Sequence, residues 1–149
     1  MQKIVLSAWL LATLVACGKG GAEQYVGIWQ DRKIGASEFG EIRKEGDQYL
    51  FEDSSNGKKW ALYEKDGAWF TRNSYNPDEQ LKLSSDGNTL FFDTTPVFRV
   101  KAGVCQELAK EYLSKKTSYI RGEVKMDTGS AIKTLEDILE RYHAQCNGE

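Results

Sequence analysis

Eight short apolar or aromatic runs between residues 25 and 101 constrain the fold of this chain more than any other feature. Glycine-containing dipeptides separate several of the runs, and such dipeptides supply the positive φ angles of tight hairpin turns. The dipeptides are Gly46-Asp47, Asn56-Gly57, Asp66-Gly67 and Asp86-Gly87, and the runs are YVGIWQ, EFGEIR, QYLFED, KKWALYEK, AWFTRN, EQLKLS, NTLFFD and PVFRVK. This spacing predicts an antiparallel β-meander of about seven or eight short strands, arranged as a small barrel or a curved sheet.

Most of the aromatic residues lie in the same segment, and we expect these large side chains to fill the interior of the barrel or sheet. They are Tyr25, Trp29, Phe39, Tyr49, Phe51, Trp60, Tyr63, Trp69, Phe70, Tyr75, Phe91, Phe92 and Phe98. The alternative role for any one of them is to line a ligand site.

Two helices are predicted after the meander, because apolar residues recur there every three or four positions. The first stripe comprises Cys105, Leu108, Ala109, Tyr112 and Leu113, and the second comprises Ile132, Leu135, Leu139, Tyr142 and Cys146. Antiparallel packing of the helices would bring Cys105 beside Cys146 and allow a disulfide, which would stabilise the fold by roughly 4 kcal/mol. Two reduced buried thiols are the alternative, and the intervening TSYIRGEVKM is either another strand or an extended connection.

The predicted fold class is therefore α+β. Residues 25–149 form a single globular domain, in which 25–101 are the β-meander and 102–149 the helical part.

The N-terminal residues 1–16 have the pattern of a signal peptide, since Lys3 precedes an apolar stretch too short to span a bilayer. The last three of these residues and the two that follow, Leu14-Val15-Ala16-Cys17 and Gly18, resemble the lipobox of bacterial lipoproteins. The resemblance implies cleavage before Cys17, which would then carry diacylglycerol and usually a further acyl chain such as palmitate. An ordinary signal peptide or an uncleaved helix is the alternative.

The same resemblance implies a location in the cell envelope, with the protein anchored to a membrane by its lipid. Gly18 stands where an Asp retains lipoproteins in the inner membrane of enteric bacteria, which favours the outer membrane, facing the periplasm. Lys19 keeps the inner membrane as an alternative location, because in some bacteria the residue at that position affects sorting differently. Residues 17–24 are predicted to be a flexible tether of about 15 Å.

Gly27 and Trp29, a Gly-x-Trp at the start of the meander, resemble the first strand of lipocalins. The resemblance implies that Trp29 closes the floor of a barrel, that Arg99 packs on it, and that the barrel carries a small apolar ligand. Strands of five or six residues span only about 17 to 20 Å, however, so a barrel filled by aromatic residues would leave little room for such a ligand.

Charge and residue counts argue against other classes of function. The formal net charge is −2 and becomes −3 when Lys3 is lost with residues 1–16, so we expect no nucleic-acid partner. His143 is the only histidine, which excludes zinc sites built on several histidines, and we expect it to be exposed on the second helix. The carboxylates Glu136, Asp137 and Glu140 do not match a calcium loop. The sequence predicts neither catalysis nor a metal or other cofactor.

The sequence thus favours a non-catalytic, membrane-anchored lipoprotein that binds another envelope protein, as an assembly factor, inhibitor or immunity protein does. The alternative is a lipocalin-like carrier of a small apolar ligand. Aromatic side chains exposed on one face of the sheet would favour protein binding.

Overall fold

The computed structural model describes residues 20–32, 38–72 and 76–146, and it confirms the α+β fold. These residues form nine antiparallel strands followed by two helices. A short 3-10 helix at Ala22–Tyr25 precedes β1 (Gly27–Asp31), β2 (Glu38–Glu45), β3 (Gln48–Asp53), β4 (Lys59–Ala61), β5 (Tyr63–Lys65), β6 (Ala68–Thr71), β7 (Glu79–Leu83), β8 (Thr89–Phe92), β9 (Thr95–Arg99), α1 (Val104–Ile120) and α2 (Thr128–Cys146). None of the helices formed by the described residues is long and apolar enough to cross a membrane.

The strands form one nearly closed, barrel-like sheet in the order β4-β3-β2-β1-β9-β8-β7-β6-β5. Its two edge strands come from the single run KKWALYEK, which divides at Leu62 because the chain changes its pairing partner there from β3 to β6. The backbone N–H of Leu62 donates to the Tyr49 carbonyl at 2.8 Å. The Thr71 hydroxyl donates to the Ala61 carbonyl at 3.4 Å, which links β6 to β4 across the gap between the edges.

The barrel has two distinct ends, which follow from the directions of its antiparallel strands. The turns at 46–47, 66–67 and 86–87 lie at one end together with the 3-10 helix, and we call this the N-terminal end. The turns at 54–57 and 93–94 lie at the opposite, distal end. The α1–α2 connection is also distal, because Arg121 Nη2 donates to the Gly57 carbonyl at 2.8 Å.

Successive residues of each strand face opposite sides of the sheet, so the aromatic residues are divided between the interior and the outer surface. The buried interior cluster contains Ala22, Tyr25, Trp29, Ile42, Leu62, Leu81, Leu90, Phe92 and Val97, with Tyr49, Phe51 and Trp69 packed against it. The expectation that the meander's aromatic residues all fill the interior is therefore wrong for the outward-facing rings, such as Phe39.

The two helices pack on the outer surface of β1 and β2, where Ile28 and Phe39 join their apolar faces in a second buried cluster. The predicted disulfide is confirmed: Cys105 and Cys146 are bonded, with their Cα atoms 5.7 Å apart. Beneath α2, the Tyr142 hydroxyl donates to Gln30 Oε1 at 3.1 Å, which gives the amide oxygen of this residue, only 4% exposed, a hydrogen-bond partner.

Two details of the helical part differ from the sequence analysis. The segment TSYIRGEVKM forms no strand, and its first four residues instead extend α1 to Ile120. Ile132 is 50% exposed, whereas Ala131 and Ile138 are buried. Residues 131, 135, 138, 142 and 146 keep a spacing of three or four and so share one side of the helix, whereas Ile132, about 100° around the helix from Ala131, lies beyond the edge of that stripe.

The N-terminal boundary of the folded part also needs correction. Ala22 is 1% exposed and Tyr25 is 6% exposed, so residues 22–24, assigned above to the tether, belong to the folded domain. The predicted signal peptide 1–16, the lipidation site Cys17 and residues 18–19 lie outside the described residues.

Candidate functional site

The structure brings Trp29 and Arg99 together at the N-terminal end of the barrel. They are cross-strand partners in β1 and β9, and the Arg99 guanidinium carbon lies 4.2 Å from the centroid of the Trp29 ring. The indole N–H of Trp29 donates to the Tyr25 carbonyl at 2.9 Å. The first strand, the last strand and the 3-10 helix therefore meet at this pair.

Arg99 also makes three hydrogen bonds to backbone carbonyls around it. Its Nε donates to Gly87 at 2.7 Å, Nη1 to Val26 at 2.8 Å and Nη2 to Gln24 at 3.0 Å. Partial burial lowers the pKa of the guanidinium from its ordinary value. The side chain thus fixes the N-terminal segment against the β7–β8 turn.

Gly27 is required by this arrangement. Its φ is +149°, and a Cβ at this position would lie 2.7 Å from Arg99 Nη1. The glycine of the Gly-x-Trp pattern thus leaves the space that the guanidinium occupies.

A cavity opens at the distal end of the barrel, with a volume of about 260 Å³. Small-molecule pockets usually enclose about 300 to 1,000 Å³ and are mostly apolar. This cavity has both aromatic and acidic walls, formed by Trp29, Asp31, Phe39, Gly40, Phe51, Asp53, Glu79, Phe92, Thr95 and Val97. Its size and its carboxylates fit a small apolar ligand poorly.

Aromatic side chains lie on the outer surface of β5 and β6 and of β8 and β9, and the outward-facing Gln80 and Lys82 of β7 stand between the two groups. The strand register places these residues on the side opposite the interior cluster, and each is at least partly exposed. We call this surface the aromatic face; its rings are Tyr63, Phe70, Phe91 and Phe98, and Pro96 is the cross-strand partner of Phe91. The helices pack on β1 and β2, so the aromatic face lies beside the helical layer rather than beneath it.

Cationic side chains lie next to these rings. The Arg32 guanidinium carbon is 4.6 Å from the Phe98 centroid, and the Arg72 guanidinium carbon is 5.6 Å from the Tyr63 centroid. Lys82, which is exposed, is the cross-strand partner of Phe91. Cations at such distances interact favourably with aromatic rings.

At the β5–β6 end of the face, Tyr63 and Phe70 stack with their centroids 5.9 Å apart. The Tyr63 hydroxyl donates to the Asp78 carboxylate, and Lys65 Nζ lies 3.6 Å from the other carboxylate oxygen. The hydrogen bond raises the pKa of Tyr63 and lowers that of Asp78. The Asp78 carboxylate beside the aromatic face is therefore already paired with groups of the protein itself.

A second exposed apolar surface lies at the distal end, between the two helices. Tyr119, Val124, Met126, Ala131 and Leu135 line a groove there, with Lys115 and Thr134 at its sides. Val124 is 45% exposed and Met126 is 39% exposed.

A polar groove runs between α1 and the outer surface of β2 and β3. Glu52, whose side chain is 7% exposed, accepts from Arg43 Nη2 at 2.5 Å and from Arg121 Nη2 at 2.6 Å. Both carboxylate oxygens are thus paired, and the Arg121 pair connects the C-terminal end of α1 to the sheet.

The residues considered above for catalysis or metal binding lie on the surface of α2. His143 is exposed, as are Glu136, Asp137 and Glu140. Within residues 20–32, 38–72 and 76–146, His, Cys, Asp and Glu side chains form no group of three or more that could hold a metal ion.

No family model matches this chain, and no curated protein or solved structure is significantly similar to it. The resemblances to lipoproteins and lipocalins, with the location and ligand that they imply, therefore stay predictions.

The aromatic face was missed in the sequence analysis, although a signal for it was present. Trp69-Phe70 and Phe91-Phe92 are pairs of adjacent aromatic residues within single strands. Because successive strand residues point to opposite sides, each pair must place one ring outside the barrel.

Proposed function

We propose that this protein is a non-catalytic lipoprotein of the bacterial cell envelope that binds another envelope protein through the aromatic face. The observation that carries the proposal is the combination of four partly exposed rings with Arg32, Arg72 and Lys82 beside them. Aromatic residues and arginine are enriched at protein interfaces and among the residues that contribute most binding energy.

The rigidity of the sheet favours such a role. Strand pairing fixes the backbone beneath each ring, and the Tyr63–Phe70 stack restricts two of the side chains further. A preorganised surface loses little conformational entropy on binding, so more of the interaction energy contributes to affinity.

Charge indicates the chemistry of the partner. The chain has a net charge of −2, yet Arg32, Arg72 and Lys82 lie along the aromatic face while Asp78 is hydrogen-bonded to Tyr63. A complementary surface would present carboxylates around a group of apolar side chains. An assembly factor, a toxin or a cell-wall enzyme of the envelope could provide it.

Lipid on Cys17 would hold the domain at the membrane, and Gly18 favours the outer membrane, facing the periplasm. Confinement there raises the effective concentration towards partners at the same surface. The Cys105–Cys146 disulfide suits an oxidising compartment such as the periplasm.

The proposal is tested by chemical crosslinking in the native cell envelope, affinity purification of this protein and mass spectrometry of what is retained. Phe91→Ala and Lys82→Glu change the aromatic face, whereas Tyr119→Ala truncates a partly exposed ring in the groove between the helices and serves as the matched control. We expect one envelope protein to be retained by the wild type and by Tyr119→Ala, and lost from both face variants.

Retention of the same protein by all four forms would contradict binding through the aromatic face. Native mass spectrometry that finds a co-purified small molecule and no protein partner would support the lipocalin-like carrier instead. Wild type and Cys17→Ala are compared by membrane fractionation, and equal membrane association of the two would contradict the lipid anchor.

A further inference from the structure

We infer that the barrel stands on the membrane in one orientation, with its N-terminal end against the lipid surface and its distal end pointing away. The inference rests on the proposed lipidation of Cys17. The orientation defines which surface of the domain contacts the lipid headgroups. It therefore also defines which surfaces other proteins can reach.

The chain is fixed to the barrel from Ala22 onwards. Ala22 and Tyr25 are buried in the interior cluster, and the Tyr49 hydroxyl donates to the Glu23 carboxylate at 2.5 Å. The Arg99 guanidinium donates hydrogen bonds to the carbonyls of Gln24 and Val26. These contacts come from β3 and β9 as well as the interior, so the 3-10 helix is part of the barrel end.

Only a short length of chain remains between the lipid and the barrel. Cys17 precedes Ala22 by five residues, which reach about 18 Å at most when fully extended. As a flexible coil, the same five residues would span about 12 Å. The lipidated residue therefore stays close to the N-terminal end of the barrel.

This length of chain is short compared with the barrel. A five-residue strand is about 17 Å long, so even with the strands tilted the distal end lies up to about one strand length farther from the attachment point. A tether of about 12 Å places the N-terminal end beside the headgroups more readily than the distal end. The turns at 46–47, 66–67 and 86–87 are then the closest parts of the sheet to the bilayer.

The charges of this end suit contact with headgroups without insertion. Its turns carry Asp47, Asp66 and Asp86, with Lys44 and Lys101 nearby. The Asp86 carboxylate accepts from Ser84 Oγ at 2.5 Å and from the Asn88 N–H at 3.0 Å, which fixes that turn. Mixed charges give little attraction to anionic lipid, so the acyl chains would supply the binding energy.

The orientation decides which surfaces a second protein can reach. The acidic cavity and the groove between the helices lie at the distal end and would face away from the membrane. The aromatic face lies along the side of the barrel, so it would be roughly perpendicular to the membrane plane and close to the membrane surface. Its partner would therefore lie beside this protein at the same membrane.

The test uses the full-length lipidated protein in vesicles of phosphatidylethanolamine and phosphatidylglycerol that carry a nitroxide quencher on the headgroup. A fluorophore is attached through one introduced cysteine, under conditions that leave the disulfide intact. Asp47→Cys and Lys101→Cys label the N-terminal end, and Lys58→Cys and Val124→Cys label the distal end; all four residues are exposed. We expect several-fold stronger quenching at the N-terminal end.

A flexible glycine–serine insert between Lys19 and Gly20 is the control for the tether. It leaves the hydrogen bond from Gln24 Nε2 to the Gly20 carbonyl in place, at 2.7 Å. We expect this variant to stay bound to the vesicles and to lose most of the difference between the two ends. A difference that survives a long insert would overturn the tether as its cause.

Equal quenching at both ends, or stronger quenching at the distal end, in vesicle-bound protein with lipid on Cys17 would overturn the orientation and leave the anchor intact. Mass spectrometry of the same preparation shows whether Cys17 carries lipid. An unmodified Cys17 in protein recovered from its native membrane would overturn both the anchor and the orientation, while binding through the aromatic face would still be open to its own test.

Discussion

Arg99 lies with its guanidinium carbon 4.2 Å from the centroid of the Trp29 ring, and this pair joins the last strand of the barrel to the first. The same guanidinium holds the carbonyls of Gln24 and Val26, so it also fixes the segment that leads towards Cys17. The position of the N-terminal segment thus depends on a few contacts that can be changed one at a time.

Gly27 and Arg99 are predicted to be energetically coupled, because a Cβ at Gly27 would lie 2.7 Å from Arg99 Nη1. Gly27→Ala should lower the free energy of unfolding by about 2 to 3 kcal/mol, from backbone strain and displacement of the guanidinium. Gly46→Ala is the control, because Gly46 also has a positive φ but a Cβ added there would meet no atom within 4 Å. Urea unfolding measures both variants.

A double-mutant cycle separates the two causes. In an Arg99→Ala background, Gly27→Ala should lower the free energy of unfolding by less, because the Cβ no longer meets the guanidinium and only the backbone strain at residue 27 is left. An equal cost in both backgrounds would contradict the coupling.

Glu52 is predicted to stabilise the attachment of α1 to the sheet. Its side chain is 7% exposed and pairs with both Arg43 and Arg121, so Glu52→Ala should cost about 2 to 3 kcal/mol in chemical denaturation. Glu45→Ala removes another carboxylate that binds Arg43, but one that is 39% exposed, and should cost less than about 1 kcal/mol. Equal costs would show that burial of Glu52 has no energetic consequence.

Reduction of the Cys105–Cys146 disulfide should lower stability by about 4 kcal/mol at most, because the bond constrains a loop of 41 residues in the unfolded chain. Cys105→Ala should have a similar effect without changing membrane association. The thermal midpoint with and without reductant is the measurement. An unchanged midpoint, with both thiols free to alkylate before reductant is added, would rule out the bond.

The Tyr63–Asp78 hydrogen bond is predicted to affect stability at acid pH. It lowers the pKa of Asp78 below the ordinary value of 3.8, so its contribution is present above that value and is lost as the pH falls through the lower folded-state pKa. In Tyr63→Phe, which keeps the ring on Phe70, an NMR titration should show the pKa of Asp78 returning towards 3.8. A carboxyl that titrates identically in both proteins would contradict the bond.

The architecture was predictable because its signals are local. The hairpin turns need positive φ, which Gly46, Gly57, Gly67 and Gly87 supply. Helical spacing placed Cys105 and Cys146 at ends of two apolar stripes, and antiparallel packing then brought them together.

The rest depended on tertiary contacts that sequence spacing does not reveal. Ala22 sits in a polar, glycine-rich stretch, yet it is buried because Arg99 and Tyr49 hold its neighbours against the barrel. Which of two adjacent rings faces outwards, as for Phe91 and Phe92, depends on the register with neighbouring strands. Adjacent rings in the sequence indicate that one of each pair faces outwards, but only the folded sheet shows which rings form the candidate binding surface.

Binding of an envelope protein to the aromatic face is tested most directly by photocrosslinking in living cells. A photoreactive phenylalanine analogue replaces Phe91 in the lipidated protein, and in a separate strain it replaces Tyr119. We predict one discrete crosslinked protein from position 91 that is missing from position 119. No crosslinked protein from position 91, or the same products from both positions, would contradict the proposal.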